Sequence, residues 1–536
     1  MAALLIAGVV GLGGCQKEGE TDSDVVQRQG ADNPPANVSP SQPAIFVADG
    51  EFDGIYQIYT QLGAASSQAV YEPLAACGNV QGVSWTPNGE TVIFTTDNDQ
   101  DGTPELYSVS FDGDGLTKIS GMMNGSVGVG QFAVSPDGAM VAFTADQDTD
   151  GVIEAYTVRI DGSDLNKLNS PLGAQQQVTW LGWAPDSTTV AFIADQNTQG
   201  VFELFTATPG SSGAPTRLNS ALVDNGDVVE ARWTPDSNRV VYLADQDNNN
   251  QYELFSVAPN GGNRVKLNGA LVSGGDVSEA SWAISPDGSK LVYAADQDVN
   301  ERFELYSVAI NGTGLVKLNA PIAGEQLVKD WIWSPDSLKV AYVSDGIVEG
   351  RFELYVTQYD ASTRRVLNLP LAQDGIFESI EWGLTSDVVY YVAHQEALGR
   401  AELYRATIDG SQIIRLSDQM VNNGSIRNDG VYAKLSPDGA KVAYLADQDV
   451  DQLFELYVVN SDGSGSSTKV NGVQVQGGDV IDFKWSSDGA NLLYVADEIT
   501  NRKNELFRVS ADGLVHDRLN NQLASSGDVY DFNWVN

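Results

Sequence analysis

Histidine and cysteine are nearly absent from this chain: 536 residues contain two of each, His394, His516, Cys15 and Cys77. Two cysteines build no disulfide framework, and zinc held by cysteine and histidine is excluded by count. Histidine is the commonest general base near neutral pH. Neither His394 nor His516 has a partner visible in sequence, so both read as surface residues. Positive charge is scarce too, with 30 Lys and Arg against 72 Asp and Glu, a formal charge of −42. That surface repels phosphate backbones and argues against nucleic acid; it suits cations, metal ions or basic partners. No Gly-x-Ser-x-Gly elbow and no phosphate-cradling Gly-x-x-x-x-Gly-Lys occurs. No run approaches the 18 apolar residues of a spanning helix, so the body is expected to meet the membrane only through an anchor. Apolar residues still make up 42% of the chain, enough for a substantial core.

What the chain has in abundance is repetition. A Glu-Leu-Tyr motif or a near copy recurs with its glutamate at 105, 154, 203, 253, 304, 353, 402, 455 and 505, and a weaker copy opens at Gln57. Spacing near 50 residues marks one supersecondary unit copied along the chain. Residues 431–471 show the unit. An alternating run ends in the turn Ser436-Pro437-Asp438-Gly439. The run Lys441–Asp447, a polar loop, a strand through Glu455, a Gly-Ser turn and a short closing strand then follow. This reads as a four-stranded antiparallel meander. Trp85, Trp183, Trp233, Trp282, Trp333, Trp382 and Trp485 mark the first strands.

Four-stranded sheets at this period point to an all-β fold, a β-propeller. The Trp-Ser-Pro-Asp-Gly turn, acidic loop and Glu-Leu-Tyr strand resemble the TolB-type propeller repeat over about residues 44–536. That resemblance implies the fold, and a role as scaffold, assembly protein or enzyme-associated domain. The folded part opens on a second-strand sequence, Ala44–Asp49, and ends on a first strand, Val529–Asn536. The last strand is expected to complete the first blade, giving ten blades in one ring, with two five-bladed rings as the alternative.

Residues 1–14 form a short apolar run with the character of an export signal, and Leu12-Gly13-Gly14-Cys15 resembles the lipobox of bacterial lipoproteins. By that resemblance Cys15 carries lipid, residues 15–43 are a polar, Pro-containing tether, and Gln16 directs the protein to the outer membrane. Cys77 reads as a small buried residue.

The loops between second and third strands carry the candidate chemistry. Asp97, Asp99, Asp101 and Glu105, with Gly102, place oxygens at positions 1, 3, 5 and 9 around a turn glycine; Asp146, Asp148, Asp150 and Glu154, with Gly151, do the same. Asp447, Asp449, Asp451 and Glu455 keep the carboxylates but have Gln452 at the glycine position. Alternating oxygens in a tight loop suit calcium, and the nine-residue form resembles the calcium-binding hairpins of integrin α-subunit propellers. Against this, Asp, Asn and Gly also favour turns, and Glu353, Glu402 and Glu505 persist where their loops have lost the other carboxylates. A second series, Asp227, Asp276, Asp479 and Asp528 in Gly-Asp-Val, is expected to bond backbone at a strand start.

The expectation is therefore a monomeric, lipid-anchored, non-catalytic propeller that binds an envelope protein or a glycan. The alternatives are a carbohydrate-active lyase or hydrolase using Asp or Glu, and an assembly protein of the TolB kind.

Overall fold

The computed structural model describes residues 42–50, 55–61, 67–71, 78–99, 102–322, 327–372, 375–427, 430, 433–524 and 527–535. The expected signal, Cys15 and the expected tether up to residue 41 lie outside them, as do Cys77 and Asp101, whereas Gln42 and Pro43 at the tether's end are described. Forty strands form ten four-stranded antiparallel sheets. Blade 3 is typical, with β8 Val129–Val134, β9 Met140–Ala145, β10 Glu154–Arg159 and β11 Asn166–Lys167. The first strands of blades 2 to 10 begin at Val80, Val129, Val178, Val228, Val277, Val328, Phe377, Ala433 and Val480.

Blade 1 is shared by both ends of the described chain. Here β40 (Val529–Trp534) pairs with β1 (Ala44–Ala48), which pairs with β2 (Gln57–Gln61) and then β3 (Gln68–Tyr71). The closure is reinforced by Val535 N–H to Pro43 O, 2.8 Å, and by the Trp534 indole N–H to Lys484 O, 3.0 Å. An edge that would otherwise be open is thus paired.

The cores lie between blades. Ten buried apolar clusters each join one blade to the next, including blade 5 to 6 through Val241, Leu243 and Tyr293, and blade 10 to 1 through Leu493, Phe46 and Trp534. Two five-bladed rings would need blade 5 packed on blade 1. One ten-bladed ring is what the packing gives. Second strands such as Met140–Ala145 are buried almost throughout, because each is flanked by blades on both faces. Their aromatics stack on third-strand partners within the blade, as in Phe143–Tyr156 at 5.5 Å.

Two hydrogen-bond series run around the ring. Indole N–H groups reach a first-strand carbonyl about fifty residues earlier: Trp183 to Ala133, Trp233 to Gly182, Trp333 to Ala283 and Trp382 to Ile332, at 2.9–3.1 Å. At the first turn of each of several blades, serines in left-handed conformation accept from the preceding blade. Asp137 N–H bonds Ser187 Oγ and Asp336 N–H bonds Ser386 Oγ, both at 3.0 Å. In these four blades the tryptophan that marks the first strand therefore bonds to the blade before it.

Candidate functional site: the acidic loop face

The first aspartate of each loop is spent on backbone. Asp146 accepts from Gly128 N–H at 2.8 Å and Val127 N–H at 3.1 Å, both in the link from blade 2, and from Gly151 N–H in its own loop at 3.2 Å. Asp97 accepts from Asn79 N–H at 2.9 Å and Gly102 N–H at 3.0 Å; Asp447 accepts from Ser425 N–H at 2.6 Å and Gln452 N–H at 2.9 Å. Asp195, Asp245 and Asp345 repeat the pattern. One carboxylate thus ties a hairpin tip to an inter-blade link. Two or three backbone donors per carboxylate satisfy a buried charge well.

The glutamate meets a cation that the chain itself supplies. In blade 3 the Lys167 ammonium lies 2.8 Å from Glu154 and 2.5 Å from Asp148, and Tyr156 donates its hydroxyl to Glu154 at 2.8 Å. In blade 2 Lys118 bridges Asp99 at 3.0 Å and Glu105, and Tyr107 donates to Glu105 at 3.1 Å. In blade 9 Glu455 pairs with Lys469 at 2.9 Å and accepts from Tyr457 at 3.1 Å, and Asp449 lies against the same tyrosine. Arg217, Lys266, Lys317, Arg415 and Arg518 stand at the same place in blades 4, 5, 6, 8 and 10. Burial alone would lower the pKa of Lys167; hydrogen bonds to Asp148 and Glu154 hold it above the usual lysine range. Burial and the neighbouring Glu154 push the Tyr156 hydroxyl far above its ordinary value.

The fifth-position carboxylates turn outward. Asp150 accepts from Ser126 N–H at 3.1 Å, and Asp451 from the Asn423 amide at 3.4 Å. Calcium takes six to eight oxygens, whereas here Asp146 holds backbone, Asp148 and Glu154 hold an ammonium, and Asp150 holds a link. Among the described residues no three His, Cys, Asp or Glu side chains are disposed to hold a metal. Each of the four carboxylates already has a donor that the chain itself supplies.

The second aspartate series does bond backbone, but on a neighbour's strand. Asp227 accepts from Phe202 N–H, Asp276 from Tyr252 N–H and Asp479 from Phe454 N–H at 2.7–2.8 Å, in each case just ahead of the third strand of the preceding blade. Burial raises the pKa of all three, and the nearby Asp245, Asp296 and Asp497 add to it.

Of the two histidines, His516 is exposed as expected and His394 is not. His394 is buried, 7% exposed, because it fills the place of the first loop aspartate in blade 8; its Nε2 lies 3.2 Å from Glu378 Oε1 and its Nδ1 accepts from Gly399 N–H. His516 stacks on Phe507, and its Nε2 lies 2.5 Å from the Tyr494 hydroxyl. Sequence reading also missed the cation of the fourth strand. Its signal was a Lys or Arg thirteen or fourteen residues after the glutamate: eight of the chain's 30 basic residues take that position.

Residues 305–527 match the family described as the lipoprotein LpqB beta-propeller domain. The likeness is to a lipoprotein-type propeller. It runs from the third strand of blade 6 through blade 10 and stops short of half the chain. No curated protein matches. Among solved structures, Porphyromonas gingivalis dipeptidyl peptidase 4 is 10% identical with a TM-score of 0.51, covering 83% of this chain and 60% of that one. A eukaryotic initiation factor is 11% identical with a TM-score of 0.49, covering 92% and 98%. At such identity the peptidase likeness speaks for the propeller fold alone. The lipoprotein-type propeller match is the one that bears on location.

Proposed function

We propose that the chain is a non-catalytic binding or scaffolding propeller of the bacterial cell envelope, held at the outer membrane by lipid on Cys15. The observation that carries this reading is the use made of the repeated polar residues. Aspartates, glutamates, lysines and indoles that recur from blade to blade are paired with backbone or with one another, which leaves a rigid ring as their product. The match of residues 305–527 to a lipoprotein-type propeller domain supports the envelope location. A rigid ring bearing variable loops is a surface for recognition.

Expression of the chain with an alkyne fatty acid should label it in the membrane fraction. Cys15→Ser should abolish the label and release the protein. Incubation with acidic and neutral polysaccharides should yield no new reducing or unsaturated ends. Retention of Cys15→Ser in the membrane would defeat the anchor, and product formation would turn the reading toward a carbohydrate-active enzyme.

A further inference from the structure

The hairpin tips on the acidic face divide the ring in two. In blades 6 to 10 each tip carries an exposed aliphatic side chain: Val299, Val348, Leu398, Val450 and Ile499, between 43% and 60% exposed. In blades 3 to 5 the fourth loop position holds Thr149, Thr198 and Asn248, exposed and polar. Scattered apolar residues on a surface need no explanation. One on the tip of each of five successive blades does, with Val299, Val348 and Val450 at the fourth loop position, Leu398 at the fifth and Ile499 at the third, because the loops of blades 3 to 5 show that a polar residue serves the turn equally well. Leu369 and Val473, in links that open on the same face, are also exposed.

We propose that this apolar arc docks a cationic, amphipathic protein segment running from blade to blade. Acidic side chains stand exposed on three of the tips, Glu301 two residues after Val299, Glu349 next to Val348 and Asp451 next to Val450. A segment alternating aliphatic and basic residues would bury the former on the tips and set the latter against the carboxylates. Net charge selects against the other occupants. A second copy would bring another −42, and an anionic lipid surface would be repelled in the same way. Four of the five arc residues, Val348, Leu398, Val450 and Ile499, fall within the part of the chain similar to the lipoprotein propeller domain. The proposal rests on the binding-module reading and names the partner's chemistry.

The probe is a fluorescent peptide of about fourteen alternating leucines and lysines, titrated with the full chain at physiological salt. The test variant is Val299→Thr, Val348→Thr, Leu398→Asn, Val450→Thr and Ile499→Thr together, which leaves the charge unchanged. Its affinity is expected to fall by at least about tenfold. Thr149→Ser, Thr198→Ser and Asn248→Ser together should leave affinity as it was. Equal binding by wild type and the five-site variant would reduce the interaction to charge alone and overturn the proposal, as would no measurable binding. Cosedimentation with neutral or anionic phospholipid vesicles that the five-site variant loses would also overturn it, in favour of a lipid surface. Cys15→Ser does not touch the arc, so a failed anchor and a failed arc are separable.

Discussion

Single residues at the sixth position of the hairpin loops carry the backbone through the left-handed region. Glycine holds that position in five blades, with φ between 71° and 78° at Gly102, Gly151, Gly200, Gly350 and Gly399. Asn250, Glu301, Gln452 and Arg502 hold it elsewhere, at 56° to 64°. The N–H of this residue is the one that the first aspartate of the loop accepts, as Gln452 does to Asp447 and Arg502 to Asp497. A residue with a Cβ costs roughly 1–2 kcal/mol there, of which glycine's looser unfolded chain returns about half. Gln452→Gly and Arg502→Gly are therefore expected to raise stability by about 0.5–1 kcal/mol each. Gly151→Ala, whose added Cβ would meet only open space, should lose a similar amount. Urea midpoints at constant slope are the measure; a loss of stability in the two glycine variants would show that those side chains hold the tip.

Within a blade, strand order and turns were legible in sequence because each strand has its own mark. The Trp and Pro-Asp turn, the β-branched run and the Glu-Leu-Tyr copy fix three strands, and the fourth appears where "Thr-Lys" precedes Val470. The role of the acidic loop was not legible. Its spacing suits calcium as well as it suits a lysine cage, and the deciding residue lies across a turn of variable length on a two-residue strand. Nor could sequence show His394 as buried, since its place is set by the inter-blade link it faces. Lys167→Met leaves Glu154 with only its tyrosine and amide donors. Lys167 is partly exposed, so the loss expected is about 1–2 kcal/mol rather than the larger figure for a fully buried pair. Thermal melting of wild type should be the same with calcium and with a chelator. A midpoint that rises with calcium in wild type would mean that the ion displaces the ammonium.

At the scale of the molecule, ten similar junctions make a ring in which closure by Val529–Trp534 is one junction among ten. Sequence showed the complementary ends, and the apolar clusters decide for one ring because blades 5 and 6 share a core. The closing strand buries Val529, Phe532, Trp534 and Val535. At roughly 1.5–3 kcal/mol for each large side chain, its removal takes away an amount comparable with the whole stability of a typical domain. It also exposes the Ala44–Ala48 edge and the face of blade 10 that Leu493 and Leu506 line. Deletion of residues 529–536 should lower the melting midpoint by more than about 10 °C and promote association through the bared edge. Deletion of residues 16–41 should leave the midpoint where it was. If the shortened chain melts like the full one, the blades stand as an open arc in solution, and both the shared loop face and the docking arc lose the frame that aligns them.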